Sequence, residues 1–147
     1  MAGIRPIRVF VDSDVIISSL ISSSGAAYAL LHATKLTELY VSNFSIKELE
    51  KVVSRLKLEQ SILDEVVSSL LVTIRVNQTY KKVGLEYADY VRDPDDAHIV
   101  AGAKLAKASF LVSYNIRHFN AEKLREDFQI VLLTPGLYLQ YLRILSP

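Results

Sequence analysis

The sequence predicts an α/β fold of three layers, a central, mostly parallel sheet covered by helices on both faces. Three observations carry this. Short runs rich in β-branched and aromatic residues alternate with stretches of helical periodicity. That alternation is the signature of strands joined by helical crossovers, which place helices on either side of a parallel sheet. No internal repeat, low-complexity tract or long linker divides the chain, so residues 1–147 are expected to form a single domain.

Residues 7–11 read as a buried strand that stops abruptly at Asp12. A helix is expected over 15–21, a small-residue break over 22–25, and renewed helix over 26–36. Residues 38–41 suit a second short strand. Asn43 or Ser45 then caps a helix reaching about residue 58, with Leu49, Val52, Val53 and Leu56 on its apolar side. Residues 62–71 repeat the helical spacing, with Ile62, Val66, Leu70 and Leu71 inward, and 73–76 can form a strand. The run Asp93-Pro94-Asp95-Asp96 is a strong helix start, because acids in a first turn suit the helix dipole and proline is tolerated there. That helix should reach about residue 107 and bury Ile99, Val100, Ala103 and Leu105. Strands follow at 110–113 and 129–133, and Pro135 opens a last helix through residue 142.

Half of the residues are hydrophobic, enough for a packed core and too many for a disordered chain. The absence of cysteine excludes disulfides, thiolate catalysis and Cys-ligated zinc. With only three histidines, any metal would be held by oxygen donors, which selects Mg²⁺, Mn²⁺ or Ca²⁺. A net charge of +1 argues against tight, nonspecific binding to duplex DNA and leaves room for a local basic rim. No apolar run approaches the roughly 20 residues of a membrane helix, so a soluble, cytoplasmic protein without membrane contact is expected.

In open α/β sheets ligands bind beyond the carboxyl ends of the strands. Asp12 follows the first strand, Asn115 comes two residues after the strand ending at Ser113, Asp96 opens a helix, and Glu48 lies early in another. A parallel sheet can gather the four at one edge. Carboxylates so crowded repel one another, and divalent cations are the usual remedy. Two such ions roughly 3.5–4 Å apart can organise phosphodiester hydrolysis.

The same residues carry a resemblance. Val9-Phe10-Val11-Asp12-Ser13-Asp14-Val15 resembles the opening of PIN domains, a hydrophobic strand ending in Asp. Ser45-Ile46-Lys47-Glu48-Leu49 resembles their second motif, a helix with an acid a short way in. Asp93-Pro94-Asp95-Asp96-Ala97-His98 resembles the third, where an Asp begins an Ala-rich helix. Phe110-Leu111-Val112-Ser113-Tyr114-Asn115 resembles the fourth, and Leu133-Thr134-Pro135 the ending. Each motif alone is weak, but five in series over nearly the whole chain are specific. The nearest flavour is the VapC-like group, often the ribonuclease toxin of a toxin–antitoxin pair.

The resemblance implies a PIN-like fold and a metal-dependent endoribonuclease using Mg²⁺ or Mn²⁺. Asp12, Glu48, Asp96 and Asn115 would be catalytic, with Asp12, Asp96 and Glu48 as metal ligands. Asp14, Asp93 and Ser113 would support them from behind. Asn115 stands where many members have Asp; it brings no negative charge, and that departure puts a second metal in doubt. The reaction implied is in-line attack of water on an RNA phosphodiester, leaving 5′-phosphate and 3′-hydroxyl ends. The toxin reading further implies a small antitoxin partner and a homodimer.

Other roles remain open for each residue. Asp12 or Ser13 can cap a helix, Ser45 and Glu48 form a capping box, the acids of 93–96 suit a helix start, and Asn115 suits a turn. His98 and His118 read as surface residues. Lys47, Arg92 and Arg117 read as solvated charges or phosphate contacts. Tyr80, Tyr87, Tyr90, Tyr138 and Tyr141 fit either contacts with partners or the core. Two other functions compete. One is a catalytically weak PIN-like module that binds RNA or protein. The other is a haloacid-dehalogenase-type phosphatase, in which Asp12 would be the nucleophile and Asp14 the acid/base. That motif normally continues with Gly-Thr, whereas Ile16-Ile17 stand here.

Overall fold

A computed structural model describes residues 5–33 and 35–145. Its strands are β1 (Ile7–Val11), β2 (Thr37–Ser42), β3 (Leu71–Ile74), β4 (Phe110–Val112) and β5 (Val131–Leu133). They form one sheet of order β3-β2-β1-β4-β5, and every paired neighbour is parallel. The expectation of a mostly parallel sheet is met by a fully parallel one. β1 lies at its centre.

The helices are α1 (Ser13–Ile21), α2 (Ala26–Leu31), α3 (Asn43–Arg55), α4 (Gln60–Leu70), α5 (Tyr80–Glu86), α6 (Ala97–Leu105), α7 (Ala121–Phe128) and α8 (Pro135–Leu145). Side chains alternate across a strand, so each strand feeds two cores. Val9, Val11, Leu39, Val41, Phe110 and Val112 pack on one face with residues of α1, α2, α3, α4 and α8. Phe10, Tyr40 and Leu111 pack on the other with Val83, Leu124 and the apolar positions of α6. This is the three-layer arrangement expected. Gly102 of α6 fits flat against Phe10, because a Cβ there would sit 2.5 Å from the ring.

Several boundaries differ from the sequence reading, for one recurring reason. α3, α6 and α7 each end in a residue with positive φ: Lys57 at 57°, Lys107 at 54° and Gln129 at 56°. After the first two, Leu58 N–H donates to Val53 O and Ala108 N–H to Ala103 O, both at 3.0 Å. Such left-handed caps favour glycine or asparagine, so a lysine gives no warning of them. α3 therefore stops at Arg55 rather than near 58, and α6 at Leu105 rather than 107. Leu56 and Leu105, expected inside, are 47% and 54% exposed.

In α4 it is Leu63, not Ile62, that is buried. Leu71 begins β3 rather than closing the helix, and β3 ends at Ile74. The expected helix over 26–36 ends at Leu31, and Thr34 lies outside the described residues.

Candidate active site

The register of the central strands builds the site. Val11 pairs with Val112, so the residues that follow them, Asp12 and Ser113, emerge side by side at the carboxyl edge of the sheet. Asp12 N–H donates to Val112 O at 3.0 Å, which fixes that exit. Ser113 is fully buried, and its hydroxyl donates to Asp12 Oδ2 at 2.8 Å. The same oxygen reaches Asp14 Oδ2 at 3.4 Å. One serine thus bridges two carboxylates. Asp12 does cap α1, accepting the Ser13 N–H on Oδ1 at 2.7 Å, so the capping alternative holds alongside its place in this cluster.

Asp14 is also gripped by the loop that follows β4. Its Oδ2 also accepts from the Tyr114 backbone N–H at 3.0 Å and from Asn115 Nδ2 at 3.1 Å. Asn115 N–H in turn donates to Ser113 Oγ at 2.9 Å. The loop after β4 therefore clasps Asp14 from three sides, while Asp14 Oδ1 is buried with no hydrogen-bond partner. Asn115 acts here as a clasp on Asp14, through its amide NH₂.

Glu48 comes from α3, one turn further along than a capping residue. The capping-box reading is incorrect: Ser42 is the cap, accepting the Ser45 N–H at 3.2 Å. Ser42 supplies this oxygen where β2 runs directly into α3, and the helix starts earlier than its hydrophobic pattern implies. Glu48 is left free to approach His98, with Oε2 and Nε2 3.2 Å apart. A carboxylate only accepts, so Nε2 carries the hydrogen and donates. His98 is buried, which corrects the surface reading, and its Nδ1 has no partner. The signal was local: Ala97, Ile99 and Val100 flank it on a helix with almost no solvent face.

Asp96 precedes α6 and makes no capping hydrogen bond with its side chain. Its Oδ2 stands 3.4 Å from Nδ1 of His118, a histidine that is indeed half exposed. Asp93 caps the short turn Pro94–Asp96 by accepting the Asp95 N–H at 3.0 Å. Arg92 and Arg117 are exposed.

The electrostatics show a site short of positive charge. Burial, then the charge of Asp14, push the Asp12 carboxyl up to about 7; the Glu48 charge adds to this, and the Ser113 and Ser13 hydrogen bonds resist it. Asp14 is raised by burial against the pull of the Tyr114 N–H. Asp96 is raised by burial, with Asp93 and Glu48 adding and His118 opposing. Glu48 is lowered, chiefly by its hydrogen bond from His98. Glu48 is thus felt by both Asp12 and Asp96, and the four acids share one field.

Among the described residues, no three His, Cys, Asp or Glu side chains converge into a ready cation cage. Glu48 and Asp96 each lean on a histidine instead. The donors nonetheless fit a hard cation. All are oxygens, two carboxylates are held together by Ser113, and the buried Asp14 Oδ1 is unused. Mg²⁺ commonly takes one or two carboxylates and fills its remaining positions with water.

A family model described as the PIN domain matches residues 8–117. The chain belongs to the PIN domain family. The matched span contains Asp12, Asp14, Glu48, Asp96, Ser113 and Asn115, so every acid of the site lies within this PIN domain. The match sets aside the phosphatase alternative. No curated protein matches the chain in sequence.

Solved structures share the fold. One is VapBC2 from Rickettsia felis, bound to a DNA fragment from its promoter. It is 20% identical with a TM-score of 0.63, covering 86% of this chain and 97% of that one. Another is VapC20 of Mycobacterium tuberculosis, a toxin that cleaves the sarcin–ricin loop. It is 15% identical with a TM-score of 0.53, covering 82% and 95% respectively. No helix among the described residues of this PIN domain is long and apolar enough to cross a membrane.

Proposed function

We propose that this PIN domain, residues 1–147 as one unit, is an endoribonuclease that works with Mg²⁺ or Mn²⁺ in the cytoplasm. The observation that carries the reading is the Asp12–Ser113–Asp14 bridge at the carboxyl edge of the sheet, with Glu48 and Asp96 within its field. Asp12 and Asp14 would hold the cation directly, and Glu48 and Asp96 would turn from their histidines to join them. A divalent cation bound there would neutralise the crowded carboxylates and polarise a phosphodiester for attack by water. Ser113 keeps Asp12 and Asp14 in place, and Asn115 and the Tyr114 N–H keep Asp14 from rotating away. In the metal-free site the His98 hydrogen bond keeps Glu48 ionised, ready to turn toward a cation.

The likeness in fold to VapBC2 and VapC20 supports a toxin role with a small antitoxin as partner; we further propose a homodimer. A second reading, a weakly catalytic RNA- or protein-binding module, draws on Asn115 and on the lack of a ready three-acid cage among the described residues.

Cleavage of a mixed RNA pool by the wild type, with Mg²⁺, with Mn²⁺ and with EDTA, separates the two. Metal-dependent cutting that disappears in Asp12→Asn and in Asp96→Asn, both still folded, is expected. Metal binding by the wild type with every RNA left intact would favour the binding module.

A further inference from the structure

Beside Glu48 a cleft of about 470 Å³ opens, lined by Phe44, Lys47, Glu48, Lys51, Tyr80 and His98. Its volume lies within the roughly 300–1,000 Å³ typical of small-ligand sites. Three aromatic rings form one wall. Phe44 and Tyr80 meet edge to face with centroids 5.8 Å apart, and each lies 6.0 Å from His98. Phe44 is only partly exposed and His98 is buried, so Tyr80, at 47% exposure, is the ring that faces solvent. Its hydroxyl donates to Asp95 O at 3.2 Å and Oδ1 at 3.1 Å, which ties the ring to the turn preceding Asp96.

The cleft also carries basic residues. Lys47 and Lys51 stand one helical turn apart on α3, on the same side as Phe44 and Glu48. Both are exposed, and neither is in an ion pair within 4 Å among the described residues. A fixed aromatic face beside free ammonium groups is the pairing by which proteins hold single-stranded nucleic acid: the ring stacks a base and the cations meet its phosphates.

We propose that this cleft is a nucleotide subsite for single-stranded RNA, with one base packed on Tyr80 and the neighbouring phosphate on Lys47 and Lys51. The inference rests on the ribonuclease reading for its substrate class, and adds the residues that orient the strand toward the Asp12–Asp14 pair. Single-stranded RNA fits better than duplex, because a base must leave its stack to reach the ring.

The test is binding of a fluorescein-labelled, mixed-sequence 12-nucleotide RNA in EDTA, followed by anisotropy, so that no cutting intervenes. Tyr80→Leu should weaken binding about 5- to 150-fold, the range for one lost base stack. Tyr80→Phe, which keeps the ring and loses both hydrogen bonds to Asp95, should stay within about twofold of wild type. Lys47→Gln with Lys51→Gln should flatten the slope of log K against log salt by about 1.4, two single-strand phosphate contacts. A folded Tyr80→Leu that binds as wild type overturns the subsite, as does a wild type that binds no RNA in EDTA. Metal-dependent cleavage, measured separately, decides the ribonuclease reading. RNA held by Tyr80 without any cleavage would keep the subsite and reject the nuclease, and cleavage indifferent to Tyr80 would do the reverse.

Discussion

The Ser113 hydroxyl donates to the Asp12 carboxylate at 2.8 Å, across 101 residues of chain. It links the first and fourth motifs through side chains, and it offsets part of the burial that raises Asp12. Ser113→Ala removes this donor from a carboxylate that is buried. The metal-free protein should lose about 1–3 kcal/mol in urea denaturation, and the Asp12 carboxyl should titrate higher still by carbon-detected NMR. An Asp12 titration that stays where it was would show that the serine does not hold this charge.

Stability of the metal-free protein should depend on pH in an unusual direction. An acid whose pKa is raised on folding keeps a proton that the unfolded chain gives up, so its contribution is complete below the unfolded value and fades as pH rises through the folded one. For Asp12 that window runs from the ordinary 3.8 to about 7, and Asp14 and Asp96 share its sign. Glu48 has the opposite sign, but its contribution fades only as pH falls below the ordinary 4.5. Urea denaturation in EDTA should therefore show stability declining between pH 4 and about 7, by on the order of a few kcal/mol. Saturating Mn²⁺ should remove most of the decline. A flat profile in EDTA would mean that the carboxylates are not crowded as described.

His98→Gln tests the grip on Glu48. The histidine hydrogen bond is the largest cause of Glu48's lowered pKa, so the variant should let that value rise toward the ordinary one. It also replaces a buried ring, and about 1–3 kcal/mol of stability should go with it. Titration of the Glu48 side-chain carbon reads the first effect directly. No upward movement there would assign Glu48's depression to Lys51 or other neighbours instead.

Asn115→Asp exchanges a donor for a like charge beside Asp14. Without metal the variant should be less stable by about 1–2 kcal/mol, since Asp14 Oδ2 loses its 3.1 Å partner. Its affinity for Mn²⁺, measured calorimetrically, should rise about tenfold, because affinity for a hard cation follows the charge of the ligand set. A variant that is more stable in EDTA than wild type would contradict the clasp.

The parts of this molecule that were legible in the sequence share a property: their side chains report their surroundings. β1 and β4 are apolar because both faces of the sheet are covered, and their ends mark Asp12 and Ser113 without further information. α6 is visible because its small residues are nearly all buried. α7 is not, since Ala121–Phe128 is mostly charged and buries only Leu124. α5 buries only Val83 and contains Gly84, so its period is thin as well. Periodicity accordingly assigns nothing to either. Of the tyrosines, Tyr87 and Tyr138 belong to the core and Tyr80 to the surface, a division that tyrosine's mixed character hides in sequence. The pairings of Glu48 with His98 and of Asp96 with His118 were out of reach for another reason. Each joins separate segments, and only the crossovers of the parallel sheet decide which side chains meet.

Those crossovers also set a timetable. The central strand β1 is made early, but its β4 neighbour begins at Phe110, and the serine that binds Asp12 follows at Ser113. At about 5–20 residues per second of synthesis, Asp12 waits roughly 5–20 seconds on the ribosome before its partner exists. Through that interval its carboxylate stays hydrated, and the cluster that shares its field cannot close. A nascent chain of this protein thus acquires its carboxylate centre only once Ser113 has been added, however much sooner its first strand emerges.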